Sequence, residues 1–302
     1  MTATLSTELT PRTVPPREFQ PDSRIARRLR AVVRQPSFII AAAALTMVLA
    51  WAIVPELFTG SDPLSGNTAD RLQAPSPRHF FGTDHLGRDI YTRVVFGAGE
   101  SVLATVLAVG IGLVGGSLLG LLAGFLGGRL DAVIMRAVDV LAAIPDLLLS
   151  LVIVTALGFG AAKVAIAVGV SAIAGFARVM RSSVIQVRSQ AYVETATCLG
   201  LRPWTVIRRH VLPNALGPVV ALAAISFGTT VLAIAALSFL GYGSPPPAPE
   251  WGAMVADGRN YLTVAWWLTT LPGLVIVMVV LSTNRLSRGL EAPGGRPGRR
   301  RR

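Results

Sequence analysis

The sequence predicts an all-α, polytopic membrane protein with six transmembrane helices and both ends in the cytoplasm. Three observations carry that prediction. The 302 residues are 52% hydrophobic and only 15% charged, where a soluble domain carries about 25% charge. Several apolar runs approach the ~20 residues that span a bilayer. The basic residues gather beside those runs, as membrane topology requires. A net charge of +12 can by itself suggest nucleic acid, but this placement points to topology and to no nucleic-acid partner. A single cysteine, Cys198, leaves no intrachain disulfide and no cysteine-cluster metal site.

The elements follow in chain order. Residues 1–37 form a cytoplasmic segment. Its first 22 residues carry four prolines and no periodicity, so disorder is expected there. The basic run from Arg24 to Arg34 suits either a helix on the anionic inner leaflet or a plain orientation signal. The first apolar run begins near Ser37 without a small-residue cleavage site, so no cleavable signal peptide is expected. The spans are read at 38–58, 101–125, 132–157, 162–180, 215–240 and 265–283. Pro145, Pro218 and Pro272 fall inside three of them, which membrane helices tolerate because neighbours and waters satisfy the freed backbone groups. An inner loop occupies 181–214, and a basic cytoplasmic tail 285–302.

With the N-terminus inside, the cytoplasmic segments hold 22 of the 28 basic residues. The reverse orientation puts Arg24, Arg27, Arg28, Arg30 and the terminal arginines outside. The bias selects both ends in.

The second span has small residues at every fourth position: Ala104, Ala108, Gly112, Gly116, Gly120 and Gly124. Such a stripe suits a close helix crossing and marks this helix as buried in a bundle. Asp146, after Pro145, is an ionisable residue at membrane depth. It lines a pathway or makes a structural hydrogen bond to a neighbouring helix. Arg136 and Asp139, three apart, are spaced to pair on one helix face.

The outer segment reads His79-Phe-Phe-Gly82-Thr83-Asp84-His85-Leu-Gly87-Arg88-Asp89. Its glycines and aspartates suggest capped turns packed rigidly on the bundle, and its spacing matches no standard metal site. A later outer run, Gly243 to Gly252, is stiffened by prolines and suits a docking surface for an extracellular partner. No catalytic machinery is visible. Lys163 is the only lysine, and there is no phosphate-binding loop, no nucleophile elbow and no His-Glu-x-x-His. Neither a cofactor nor a metal is expected. If transport needs ATP, another chain supplies the ATPase.

The inner loop reads Ala191-Tyr192-Val-Glu194-Thr-Ala196-Thr-Cys-Leu-Gly200, then Leu-Arg-Pro203-Trp204, and closes on His210-Val-Leu212-Pro213-Asn214. Gly200 suits the end of one short helix and Pro203 the start of a second. On that second helix Trp204, Ile207 and Val211 are expected to share one apolar face, opposite Arg208 and Arg209. A helix pair of this kind sits in a groove as a rigid lever or rests on the membrane surface.

At these residues the chain resembles the permease subunits of bacterial ABC importers. Their inner-loop signature is Glu-Ala-Ala, three residues, Gly, nine residues, Ile-x-Leu-Pro. Here it is met at Glu194, Ala196, Gly200, Leu212 and Pro213, with Thr195 for alanine and His210 for isoleucine. The segments 81–89, 127–131, 237–241 and 249–252 are similar to the dipeptide, oligopeptide and nickel branch, and to the second permease of its pair. The resemblance covers about residues 25–290.

It implies the type I importer permease fold in a cell (plasma or inner) membrane, and half of a translocation pathway for peptides. It also implies a second homologous permease, two ATPase subunits and an extracellular substrate-binding protein as partners, besides membrane lipid. Ala191, Tyr192, Glu194, Ala196, Gly200, Leu212 and Pro213 would then couple the chain to an ATPase, with Asp146 on the pathway. Nickel and other small solutes use the same branch. An ion-coupled secondary transporter is the rival class, but such folds carry inverted repeats and no convincing repeat is visible.

Overall fold

The computed structural model describes residues 35–291. The expectations for residues 1–34 and for the terminal arginine-rich tail lie outside those residues. Among the described residues the chain is helical, with one isolated bridge between Thr83 and Asp89. The long elements are α1 Pro36–Ile53, α2 Ile90–Leu126, α3 Gly128–Ala142, α4 Asp146–Leu157 and α5 Ala161–Arg188. They are followed by α6 Ala191–Cys198, α7 Pro203–Phe239, α8 Trp251–Gly258 and α9 Trp267–Glu291. Helices α1, α2, α5, α7 and α9 are each long and apolar enough to cross a membrane, and α3 and α4 reach that length only together, as a broken span or a re-entrant pair.

Three elements depart from the simple spans. Helix α2 begins at Ile90, well ahead of Ser101, because the Asp89 carboxylate accepts from Thr92 N at 2.9 Å and caps it. Its 37 residues run for about 55 Å at 1.5 Å per residue, so the first turns stand outside a 30 Å hydrocarbon layer. The third span is not one helix. It breaks before Pro145, and α3 and α4 meet at 89°. Proline has no N–H to donate and its ring excludes a continuing α turn. At the C-terminal end, α9 runs beyond Thr283 to Glu291, so the start of the expected tail is helical. There Arg285 Nε donates to Ser37 Oγ at 3.0 Å, tying α9 to the start of α1.

The central seam is α2 against α5. Ala104, Ala108, Gly112, Gly116, Gly120 and Gly124 are all buried and face α5. A Cβ added at Gly116 would lie 2.6 Å from the Ile173 carbonyl oxygen, and one at Gly124 would lie 2.9 Å from that of Arg181. Gly169 of α5 returns the close approach, where an added Cβ would lie 2.8 Å from Ala108 O. Backbone therefore meets backbone along most of the membrane depth. Apolar side chains gain no hydrophobic energy by leaving lipid for a bundle, so this close van der Waals packing holds the pair. Leu103, Leu107, Val114 and Leu118 are exposed on the rest of α2, a face suited to lipid or to another membrane chain.

The outer end has its own core. Val48, Trp51, Val94, Trp251, Trp267 and Val279 join α1, α2, α8 and α9. The segment between α1 and α2 is clipped onto it. Trp267 Nε1 donates to Thr83 O at 3.3 Å, and Trp251 Nε1 to Val94 O at 2.9 Å. Arg93 Nη1 reaches Pro63 O at 3.0 Å and Pro247 O at 3.3 Å. Asp84 and Arg88 form a buried ion pair at 2.6 Å. The other Asp84 oxygen accepts from Leu86 N and Arg88 N. A buried pair so fully hydrogen-bonded fixes the shape of its loop more than it adds stability. The turn-rich outer segment is thus a rigid clip.

Candidate functional site

The first candidate site is the inner hairpin. Helix α6 ends in a Schellman motif. Gly200 sits at φ +77, Gly200 N donates to Thr197 O at 3.0 Å, and Leu201 N to Ala196 O at 3.3 Å. Glycine enters that left-handed conformation without the Cβ penalty. Space does not dictate it, since nothing lies within 4 Å of an added Cβ. Pro203 then occupies the first turn of α7, where its missing N–H costs nothing.

The hairpin is two-faced. Val193, Val206 and Val211 are buried with Phe176, Met180 and Val184 of α5 and with Ala215 and Val219 further along α7, and Ala196 is buried as well. The other face is open: Leu199 is 76% exposed, Trp204 68% and Tyr192 46%, and Ala191, Glu194 and Gly200 are exposed beside them. Leu212 is half-buried and Pro213 exposed where α7 turns up into the bundle.

One expectation for this hairpin is corrected. Trp204 does not share a buried face with Val211; Val206 takes that place. The cause is a π turn over Ile207–Val211. Its extra residue shifts the periodicity, carrying Val206 inward and leaving Trp204 on the surface. His210 lies within that turn, its carbonyl accepting from Asn214 Nδ2 at 2.6 Å and its ring 6.2 Å from that of Tyr192.

The second candidate site is a cavity of about 500 Å³ between α4, α5 and α7. Asp146, the first residue of α4, lines it. The walls also carry Ser150, Ser171, Ser226, Thr229 and Thr230, with Arg178. Ser150 Oγ donates to Asp146 O at 2.7 Å and approaches Ser171 Oγ at 3.0 Å, linking α4 to α5. The structural hydrogen bond considered for the Asp146 side chain is not found among the described residues.

The expected Arg136–Asp139 pair does not form. Asp139 instead meets Arg178 Nη2 at 2.9 Å, and Asp131 takes both Arg181 Nε and Nη2 at 2.6 Å. These two bridges tie α3 to α5. Arg178 and the hydroxyl lining escaped the sequence reading. Their only signal is polar residues scattered through apolar spans.

At the outer face, Glu250 is 1% exposed and caps α8. Its carboxylate accepts from Gly252 N at 3.1 Å and Ala253 N at 3.3 Å. Burial pushes its pKa above the ordinary value, against the pull of those amides, and the Glu100 charge adds to the rise. Glu100 itself accepts from Ser244 Oγ. The proline-rich run is therefore anchored at both carboxylates. His79 and Asp89 pair at 2.9 Å, and no cluster of metal-ligating side chains occurs among the described residues.

Comparison with known proteins bears on both sites. Residues 116–292 match the family described as binding-protein-dependent transport system inner membrane component. A dipeptide transport system permease of Alkalihalophilus pseudofirmus is 40% identical, over 82% of this chain and 81% of its own. A probable D,D-dipeptide transport system permease of Escherichia coli K12 is 37% identical, over 85% and 86%. A glutathione transport system permease of Pectobacterium atrosepticum is 40% identical, over 74% of each chain. Among solved structures, a methionine ABC transporter in an inward-facing conformation aligns over 67% of this chain and 97% of its own, with TM-score 0.52 and 20% identity. An amino acid ABC transporter with histidines aligns over 66% and 92%, with TM-score 0.52 and 16% identity.

Proposed function

This chain belongs to the family of binding-protein-dependent transport system inner membrane components, and from that membership we propose that it forms half of the translocation pathway of an ATP-driven peptide importer. It is a multi-pass inner-membrane permease. The peptide cargo is inferred from relatives whose names are those of dipeptide and glutathione permeases. The proposed partners are a second, homologous permease, two ATPase subunits and an extracellular binding protein.

The observation that carries the reading is the two-faced inner hairpin. One face is packed into α5 and α7, so the hairpin moves with the bundle. The other presents Tyr192, Glu194, Leu199 and Trp204 with no cover among the described residues. Exposed aromatic and aliphatic side chains beside one carboxylate suit a groove on another protein. In this reading Ala191, Tyr192, Glu194, Ala196, Gly200, Leu212 and Pro213 form the coupling element. Closure of the ATPase pair pushes the hairpin, and the α2–α5 seam carries the push to the cavity. Asp146 lies on the pathway, and all six spans cross with both ends inside.

Uptake in cells or proteoliposomes holding the whole transporter tests this. Glu194→Lys and Trp204→Ala should abolish or strongly reduce uptake while the permease stays inserted, since both side chains are on the open face. Gly200→Pro should do the same by breaking the Schellman turn. Normal uptake in all three variants refutes the coupling role.

A further inference from the structure

The cavity between α4, α5 and α7 carries more than a place on a pathway. At about 500 Å³ it falls within the size range of small-molecule sites. Two charged side chains line it, Asp146 and Arg178. Arg178 is committed, because its Nη2 is held by Asp139 at 2.9 Å. Asp146 is not: the structure gives its carboxylate no hydrogen bond and no ion pair among the described residues, and only its main-chain oxygen is engaged, by Ser150 Oγ. The cavity thus holds one uncommitted charge, and it is negative.

Asp146 stands in the first turn of α4. A fixed anion at membrane depth is costly unless a cation offsets it. The other polar side chains of the lining are hydroxyls, set among apolar residues such as Leu147, Val168, Phe176 and Leu222. Ser150 stands on α4, Ser171 on α5, and Ser226 and Thr229 one turn apart on α7, and a hydroxyl both donates and accepts. Ser150, Ser171 and Thr229 donate to main-chain oxygens of their own helices, so the wall chiefly offers acceptors to amide N–H groups. It sets no demand on side chains. One carboxylate surrounded by hydroxyls is, by contrast, a poor divalent-metal site, which needs several charged oxygen ligands.

We propose that this cavity receives the free amino terminus of a peptide in transit, with the Asp146 carboxylate as counter-ion to the α-ammonium group and the hydroxyls pairing with the peptide groups behind it. The inference rests on the peptide-importer reading. An α-amino group, with an ordinary pKa of about 8, is cationic at neutral pH and presents three donors. It is the one positive group that every unmodified peptide carries, so recognition there suits a transporter indifferent to side chains.

The test uses the complete permease–ATPase assembly in nanodiscs, without the binding protein, so that recognition is the transporter's own. Binding of radiolabelled dialanine is measured by equilibrium dialysis, with unlabelled dialanine or N-acetyldialanine as competitor. In the wild type, dialanine should compete at least about tenfold better, the discrimination one charge-assisted hydrogen bond supplies. Asp146→Asn should erase that difference, and Asp146→Glu should keep most of it. A purely structural role does not move the ratio of the two competitors. Equal competition in the wild type, absence of binding, or discrimination that survives Asp146→Asn overturns the proposal. Uptake into proteoliposomes with the binding protein and ATP separates the two levels. If dialanine accumulates there while discrimination is absent, only the Asp146 assignment falls; if neither dialanine nor any other peptide accumulates, the peptide reading falls with it.

Discussion

Glu250 shows how one side chain can hold an outer face together under tension. It is buried, it accepts two amide hydrogen bonds at the start of α8, and its proton affinity is raised chiefly by burial. The folded chain therefore keeps the proton at higher pH than the unfolded chain does. The stability tied to this group is fully present below the unfolded value near 4.5 and is lost as pH rises through the raised folded value. Thermal unfolding of the outer segment, followed by tryptophan fluorescence between pH 4 and 8, should show this decline. Glu250→Gln keeps an oxygen acceptor and removes the titration, so it should flatten the profile. An unchanged slope in that variant would assign the pH dependence elsewhere. Gly200 works differently: its φ of +77 makes it a conformational requirement, with no steric one attached.

At the scale of elements, the seam between α2 and α5 makes the sharpest claim. Gly116→Leu places a branched side chain where Ile173 O and Phe176 Cβ already sit. Overpacking of this kind typically costs about 1–3 kcal/mol, and against backbone, which cannot rotate away, the cost should lie at or above the top of that range. The midpoint of thermal unfolding in detergent should drop. Gly110→Leu, on the same helix with nothing within 4 Å, should leave it near the wild-type value. This seam was legible in the sequence, because a four-residue spacing of small residues has one geometric meaning on a helix. The turn at Gly200 was legible for the same reason: a glycine before a proline-led helix is a local signal.

Other features were not legible, each for a physical cause. The π turn at Ile207–Val211 inserts a residue that no 3.6-residue pattern anticipates, so Trp204 was placed on the wrong face. Pro145 reads from sequence as a proline tolerated inside one span, whereas the helix breaks there, and the angle of 89° is set by what α3 and α4 pack against. Asp139 found Arg178 and Asp131 found Arg181, partners 39 and 50 residues away. Spacing along one helix could suggest only the near neighbour, Arg136.

For the whole molecule, topology and force transfer become one question. Cys198 is the chain's sole cysteine and is exposed at the end of α6. A membrane-impermeant maleimide should label it in inside-out vesicles and not in intact spheroplasts, if the inner hairpin is cytoplasmic. Assembly with the ATPase subunits should slow that labelling, because Leu199 beside it belongs to the open face. Labelling from outside would reverse the orientation derived from arginine placement and remove the hairpin from any ATP-hydrolysing partner.

The glycine contact between α2 and α5 also divides the chain into parts with unequal freedom to vary. Where main chain touches main chain, almost any replacement adds bulk, so drift at positions 116, 120 and 124 is closed off. On α7, Ser226, Thr229 and Thr230 border the cavity instead, and changes there leave that joint undisturbed. In the importer reading proposed above, the lining of the cavity is therefore free to change along one helix while the α2–α5 joint stays as it is.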